Sequence, residues 1–176
     1  MKKKRTPAFK AFWGNMQDVT QLLEIHGKFG GAGPDVLNNS AVVLLVACWE
    51  AYLEDLVSYA YDRRLVLAGR GWRKVLTAHK SKTIKDFRST FSENVNRFFS
   101  EALAIPKISQ SWHWPGMTEQ RARKELDNIV HVRGSIAHRV RRSPAISLSD
   151  VTSYQDHISR LVEHTDLEVW VSLKLW

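Results

Sequence analysis

The sequence predicts an all-α fold: one bundle of about five helices with a short extended C-terminal tail. Three observations carry this. The chain has 176 residues, the length of one ordinary domain. Apolar residues recur three and four apart through successive segments, the period of an amphipathic helix. Glycine, proline and short polar clusters punctuate those segments.

Phe9, Phe12, Trp13, Met16, Val19, Leu22 and Leu23 set out a first helix over 8–27, behind a basic extension over 1–7. Gly30-Gly31-Ala32-Gly33-Pro34 stops it. No strand precedes this cluster and no Gly-Lys-Ser/Thr follows, so it reads as a connection and not a phosphate cradle. Asn38, Asn39 and Ser40 offer caps for a second helix from Ala41 to about Arg63. It is apolar nearly all round at first, which places it mid-bundle. The signal weakens between Gly69 and Ser81, where a broken connection is expected. Ile84, Phe87, Phe91, Val95, Phe98, Phe99 and Ala102 then give a helix over 82–103, with its aromatic stripe in the core.

Pro106 to Gly116 reads as a loop whose Trp112 and Trp114 plug one end of the bundle. Thr118 restarts a helix running to about Arg141, before Pro144. Ser147 or Ser149 caps a last helix over 150–165. From 166 to 176 the period changes. Leu167, Val169, Val171, Leu173 and Leu175 alternate with other residues, a strand pattern that needs a partner edge. The domain proper is therefore expected over 8–165, with an extended tail over 166–176.

Composition narrows the function. Net charge is +8 and the pI about 9.8, which fits a polyanionic partner. The single cysteine, Cys48, excludes an intrachain disulfide and a cysteine-built zinc site. The longest apolar run, Ala41 to Trp49, is nine residues, against about 20 for a membrane span. The expectation is a cytoplasmic chain with no membrane partner. From Arg63 to Arg88 nine Lys or Arg meet only Asp86.

The chemistry concentrates near Leu126–Arg142. The apolar stripe is Leu126, Ile129, Val130, Ile136 or Ala137, and Val140, and Arg133 falls in it one heptad after Leu126. A guanidinium at a core-facing slot is costly unless paired. It calls for a carboxylate, an interface or a bound anion, and Asp127 and Glu50 are the intrachain carboxylates available. Glu50 and Glu54, four apart, share one face of the second helix. They read either as a solvated acidic stripe or, for Glu50, as a group reaching a cation across the bundle.

Arg133-Gly-Ser-Ile-Ala-His138 resembles the Arg-x(4–6)-His motif of HEPN domains, small all-α domains that include many RNases of toxin–antitoxin, phage-defence and RNA-processing systems. The segment Ser40 to Leu56, with Trp49-Glu50, is similar to the apolar helix of the RiboL-PSP-HEPN branch. Arg73 and His79 also fit the spacing, but they lie outside the strongly periodic helix. The resemblance implies a metal-independent endoribonuclease without cofactor, with Arg133 and His138 catalytic and Glu50, Asp127 and Ser135 supporting. It implies RNA as substrate, a homodimer with the two motifs facing each other, and a cognate antitoxin or defence-system partner. Arg139, Arg141 and Arg142 extend the positive surface and are expected on the RNA backbone. Many active members carry a polar residue after the motif arginine; here it is Gly134. The alternative is a non-catalytic HEPN module binding RNA, nucleotide or a partner protein. DNA reading by the 118–142 helix lacks the short-turn helix pair of a helix-turn-helix.

These residue types suit RNA cleavage. Attack of a 2′-hydroxyl on the adjacent phosphate needs a base, an acid for the leaving 5′-oxygen, and stabilisation of the phosphoryl oxygens. An imidazole titrates near neutrality and serves either proton transfer. A guanidinium offers a permanent planar fork. On an ideal helix five residues turn through about 140° and rise roughly 7.5 Å, so one copy does not superpose the two groups. Two copies about a twofold axis bring both kinds to one phosphate.

Overall fold

The computed structural model describes residues 5–28, 35–138 and 145–173. Six helices run through them: α1 (Pro7–Lys28), α2 (Asp35–Leu67), α3 (Arg70–Asp86), α4 (Ser92–Leu103), α5 (Glu119–His138) and α6 (Leu148–Ser172), with a 3-10 turn at Ile108–Ser111. No strand occurs among the described residues.

The core forms around α2, which packs on α1, α3, α4, α5 and α6. Ala41, Leu45, Trp49, Leu53, Leu56 and Ala60, spaced three or four apart, are all fully buried. Each large aliphatic side chain removed from water this way contributes about 1.5–3 kcal/mol. By length and composition, α2 contains an 18-residue stretch apolar enough to cross a membrane, half of which is buried inside the bundle. The nine-residue run understated that, because Val36 and Leu37 precede it and Ala51 and Leu53 follow Glu50. Asn38 is not a cap: α2 starts at Asp35, and the buried Asn38 donates to the Ile146 carbonyl at 2.7 Å.

Aromatic packing fixes the centre. Trp49 stacks on Tyr52 (5.7 Å between centroids) and meets Trp112 edge-on at 6.2 Å. Trp112 is fully buried and donates Nε1–H to Thr165 at 2.9 Å, so it belongs to the core. The connection leading to it begins at Ala104, whose left-handed φ of 58° ends α4. Trp114 and Met117 exchange backbone hydrogen bonds around Gly116, where φ is 83° and only glycine is unstrained.

Three boundaries differ from the sequence reading. The region expected to break, Gly69–Ser81, is mostly the continuous helix α3. The expected 82–103 helix is divided instead: Phe87 to Phe91 are non-helical, and α4 begins at Ser92. The rings still reach the core, since Phe87 stacks on Phe98 at 4.2 Å. Finally, the 166–172 stretch of the expected extended tail is helical. Ile158, Leu161, Val162, Thr165, Asp166, Val169 and Trp170 are buried with helical spacing, while Val171 of the apparent alternation is half exposed. Ser147 caps α6 through a capping box with Asp150.

Asp166 explains part of that error. It looks like a surface residue in the sequence, yet it is fully buried. It accepts from the Thr6 backbone N–H at 3.4 Å and the Thr6 hydroxyl, with Arg5 at 3.8 Å. Burial raises its carboxyl above the usual range, opposed by the Thr6 hydrogen bonds and the Arg5 charge. This anchors the start of α1 to α6, so Arg5–Pro7 of the basic extension are fastened to the bundle. Residues 1–4 lie outside the described residues, as do 174–176.

Candidate functional site

A cleft of about 430 Å³ opens between α2, α5 and the 87–91 connection. That is the size of a small-molecule or nucleotide site, about 300–1,000 Å³. α2 contributes Val46 and Glu50. α5 contributes Val130, His131, Arg133, Gly134 and Ser135. The connection contributes Arg88, Ser89, Thr90 and Phe91.

Arg133 is held there by the stripe its sequence position predicted. Leu126, Ile129, Val130 and Ile136 are buried on α5, and Arg133 is half-buried among them. Its Nε is buried with no hydrogen-bond partner. Among the described residues no carboxylate lies within 4.0 Å of the guanidinium. A buried donor without an acceptor costs about 1–3 kcal/mol, more when charged. The wall of the cleft therefore carries a guanidinium whose hydrogen-bonding capacity is unmet within the described chain.

Glu50 lines the same cleft and is half-buried, but it forms no ion pair with Arg133. Its neighbour Glu54 has its carboxyl raised by burial and by the charges of Glu50 and Asp55. Asp127, expected as an alternative partner for Arg133, is engaged elsewhere. It accepts from the Ser92 N–H at 2.6 Å and from the Ser92 hydroxyl at 2.9 Å, satisfying the first turn of α4. Its place is structural because α4 starts at Ser92, ten residues later than the sequence reading put it. Ser135 lines the cleft. His138 is the last residue of α5. Its side chain lies outside the described residues, and so do Arg139, Arg141 and Arg142.

In the alternative pair Arg73 and His79, each side chain has one nitrogen in a structural hydrogen bond, and Arg73 has no carboxylate partner among the described residues. Arg73 Nε donates to the Ala68 carbonyl at 3.1 Å, and His79 Nδ1 and the Tyr61 hydroxyl are hydrogen-bonded at 2.5 Å.

Sequence reasoning missed Arg88 and His131. His131 is exposed at the cleft with its ring edge-on to Phe91, centroids 4.9 Å apart. The available signal was its spacing, four before Ser135, which puts both on one face. Arg88 closes the cation-rich run that begins at Arg63, and only the fold brings it opposite α5. With Arg88 and Arg133 against Glu50, the cleft carries excess positive charge and suits an anion.

On the same α2–α5 edge lies an apolar groove of about 370 Å³, lined by Val36, Val43, Leu44, Ala47 and Ile136. Val36 is 61% exposed. Among the described residues no cluster of three or more His, Cys, Asp or Glu could hold a metal.

The all-α bundle agrees with a HEPN-type domain, a family that is all-α. The chain belongs to the RiboL-PSP-HEPN family, whose model matches residues 15–170. No curated protein and no solved structure gives a match.

Proposed function

We propose that this protein is a metal-independent endoribonuclease acting as a cytoplasmic homodimer. The observation that carries the reading is the buried, unpartnered Nε of Arg133 on the wall of a positively charged cleft. A phosphodiester supplies the acceptors that this guanidinium lacks. The resemblance of Arg133-Gly-Ser-Ile-Ala-His138 to the Arg-x(4–6)-His motif supports pairing Arg133 with His138.

In this reading the ribose 2′-oxygen attacks the adjacent phosphorus, and its proton passes to one His138 imidazole. The bond from phosphorus to the 5′-oxygen breaks, and a second imidazole protonates that oxygen. The products are a 2′,3′-cyclic phosphate and a free 5′-hydroxyl. Arg133 stabilises the non-bridging oxygens, while Glu50 and Ser135 orient the groups around it. Arg139, Arg141 and Arg142 hold the flanking backbone. The second imidazole comes from the twin chain, and the apolar groove of Val36, Val43, Leu44, Ala47 and Ile136 supports pairing at this edge. A toxin or phage-defence role, with a cognate antitoxin or defence partner, follows from the same reading.

The test is incubation of labelled RNA with the purified protein in EDTA. Wild type is expected to cut, and Arg133→Ala or His138→Ala to abolish cutting while retaining the helical circular-dichroism spectrum. Equal cutting by both variants contradicts the assignment. Growth arrest on expression, relieved by His138→Ala, is the matching result in cells.

A second reading has one observation in its favour. Gly134 stands where many active relatives carry a polar residue, and it lines the cleft without adding a polar side chain. A non-catalytic module would bind RNA or nucleotide at Arg133 without turnover, and the same assay separates the two.

A further inference from the structure

The positive charge extends along α3, which differs in its two halves. The C-terminal half is anchored. Thr83 is buried, Tyr61 holds His79, and Lys80 pairs with Asp62 at 2.7 Å. The N-terminal half is not covered by the bundle. Arg70, Gly71, Trp72, Arg73, Lys74 and Val75 are all exposed, a run longer than one full helical turn. A helix packed along its length hides one face in every turn, so this half projects from the body.

Arg70, Arg73 and Lys74 stand three and four apart and share a face. Among the described residues none of the three has a carboxylate within 4.0 Å. Lys82 and Lys85 are exposed further along, and Asp86 is the one acidic residue of α3. The helix then passes directly into the 87–91 connection, whose Arg88 lines the Arg133 cleft. Exposed cations thus recur along roughly 25 Å of helix, at about 1.5 Å per residue, up to the cleft itself.

We infer that α3 is a phosphate-tracking arm: it binds the sugar–phosphate backbone of a single-stranded RNA whose scissile segment occupies the cleft. The inference rests on the RNA-directed reading above and extends it, because it makes the substrate longer than the cleft. A polyanion fits the chemistry. Unpaired cations of one sign repel one another, and a phosphate backbone relieves that repulsion while releasing its counterions. Trp72 (68% exposed) and Val75 (55% exposed) lie outside this cationic face, so charge and apolar contributions can be separated by mutation.

The experiment uses the full chain and 2′-O-methyl RNA, which lacks the attacking hydroxyl. Affinities are measured by fluorescence anisotropy across a salt series, for a strand of about 20 nucleotides and for a tetranucleotide. The variant is Arg70→Ala/Arg73→Ala/Lys74→Ala; alanine preserves the helix. Expected is at least about a tenfold loss of affinity for the long strand. The slope of log affinity against log salt should fall by about 2, or roughly 0.7 per contact removed. Tetranucleotide affinity should be unchanged. Equal affinity and slope for wild type and variant on the long strand overturn the arm. So does a wild type that binds both lengths equally. The readout is binding, so a wild type that binds in this way but never cuts RNA overturns the catalytic reading alone.

Discussion

At the scale of single residues, the telling contrast is between Arg133 and Asp127. Both lie on α5, and both are charged groups partly withdrawn from water. Asp127 has its acceptors filled by Ser92, whereas Arg133 Nε has none. Asp127→Ala should therefore reduce stability by about 1–3 kcal/mol, since it leaves the Ser92 N–H unsatisfied at the start of α4. Thermal melting measures this, and cleavage by the folded variant should persist. Arg133→Ala should do the reverse, leaving the melting temperature at or above that of wild type while removing activity. His157 contributes a pH dependence. Burial lowers its pKa, and its Nε2 donates to the Ala122 carbonyl at 3.1 Å. The unfolded chain thus takes up a proton more readily than the folded one. Stability is full above the ordinary imidazole pKa of about 6.5 and declines as pH falls through the lowered folded value. A His157→Gln variant should show a smaller drop in melting temperature between about pH 7.5 and 5.5 than wild type.

At the scale of elements, α5 and α3 show what is legible in a sequence and what is not. The stripe of α5, and the anomaly of Arg133 within it, follow from helical period alone. The position of α2 at the centre follows from its apolar circumference. The division between α3 and α4 does not. Ile84, Phe87, Phe91 and Val95 keep helical spacing, and the break depends on Asp127, 35 residues beyond Ser92, capturing an N–H there. The C-terminal error is of the same kind. Leu167, Val169 and Val171 fit a period of two as well as part of a helical stripe. The contact that decides, Asp166 with Thr6, spans 160 residues. Such partners are set by the fold and not by neighbours in the chain. Gly134 gives an element-level prediction. A Cβ there would meet nothing within 4 Å, so Gly134→Ala should stabilise α5 by about 0.5–1 kcal/mol without closing the cleft. A chemical-denaturation midpoint that falls, or stays fixed, contradicts this.

At the scale of the whole molecule, the cleft and the apolar groove share one edge of the bundle, and the cationic arm leads to it. Each by itself is ordinary; their proximity is what supports the proposed RNA substrate and the proposed second copy of the chain. Helical period could not place Arg88 at the cleft, because the 87–91 connection meets α5 only through the tertiary fold. If the groove seats a twin chain, Val43→Asp with Leu44→Asp should give a monomer by light scattering. RNA cleavage should be lost with it, although the cleft of each copy is intact. A dimer that survives both charges would contradict the twofold site.

The claim on which the account turns is that the Arg133 guanidinium awaits a phosphodiester. The most direct measurement is the affinity of an uncleavable 2′-O-methyl tetranucleotide for wild type and for Arg133→Ala. A hydrogen bond to a charged group contributes about 1.5–3 kcal/mol, so the variant should bind at least about tenfold more weakly at equal fold stability. Identical affinities would contradict the account.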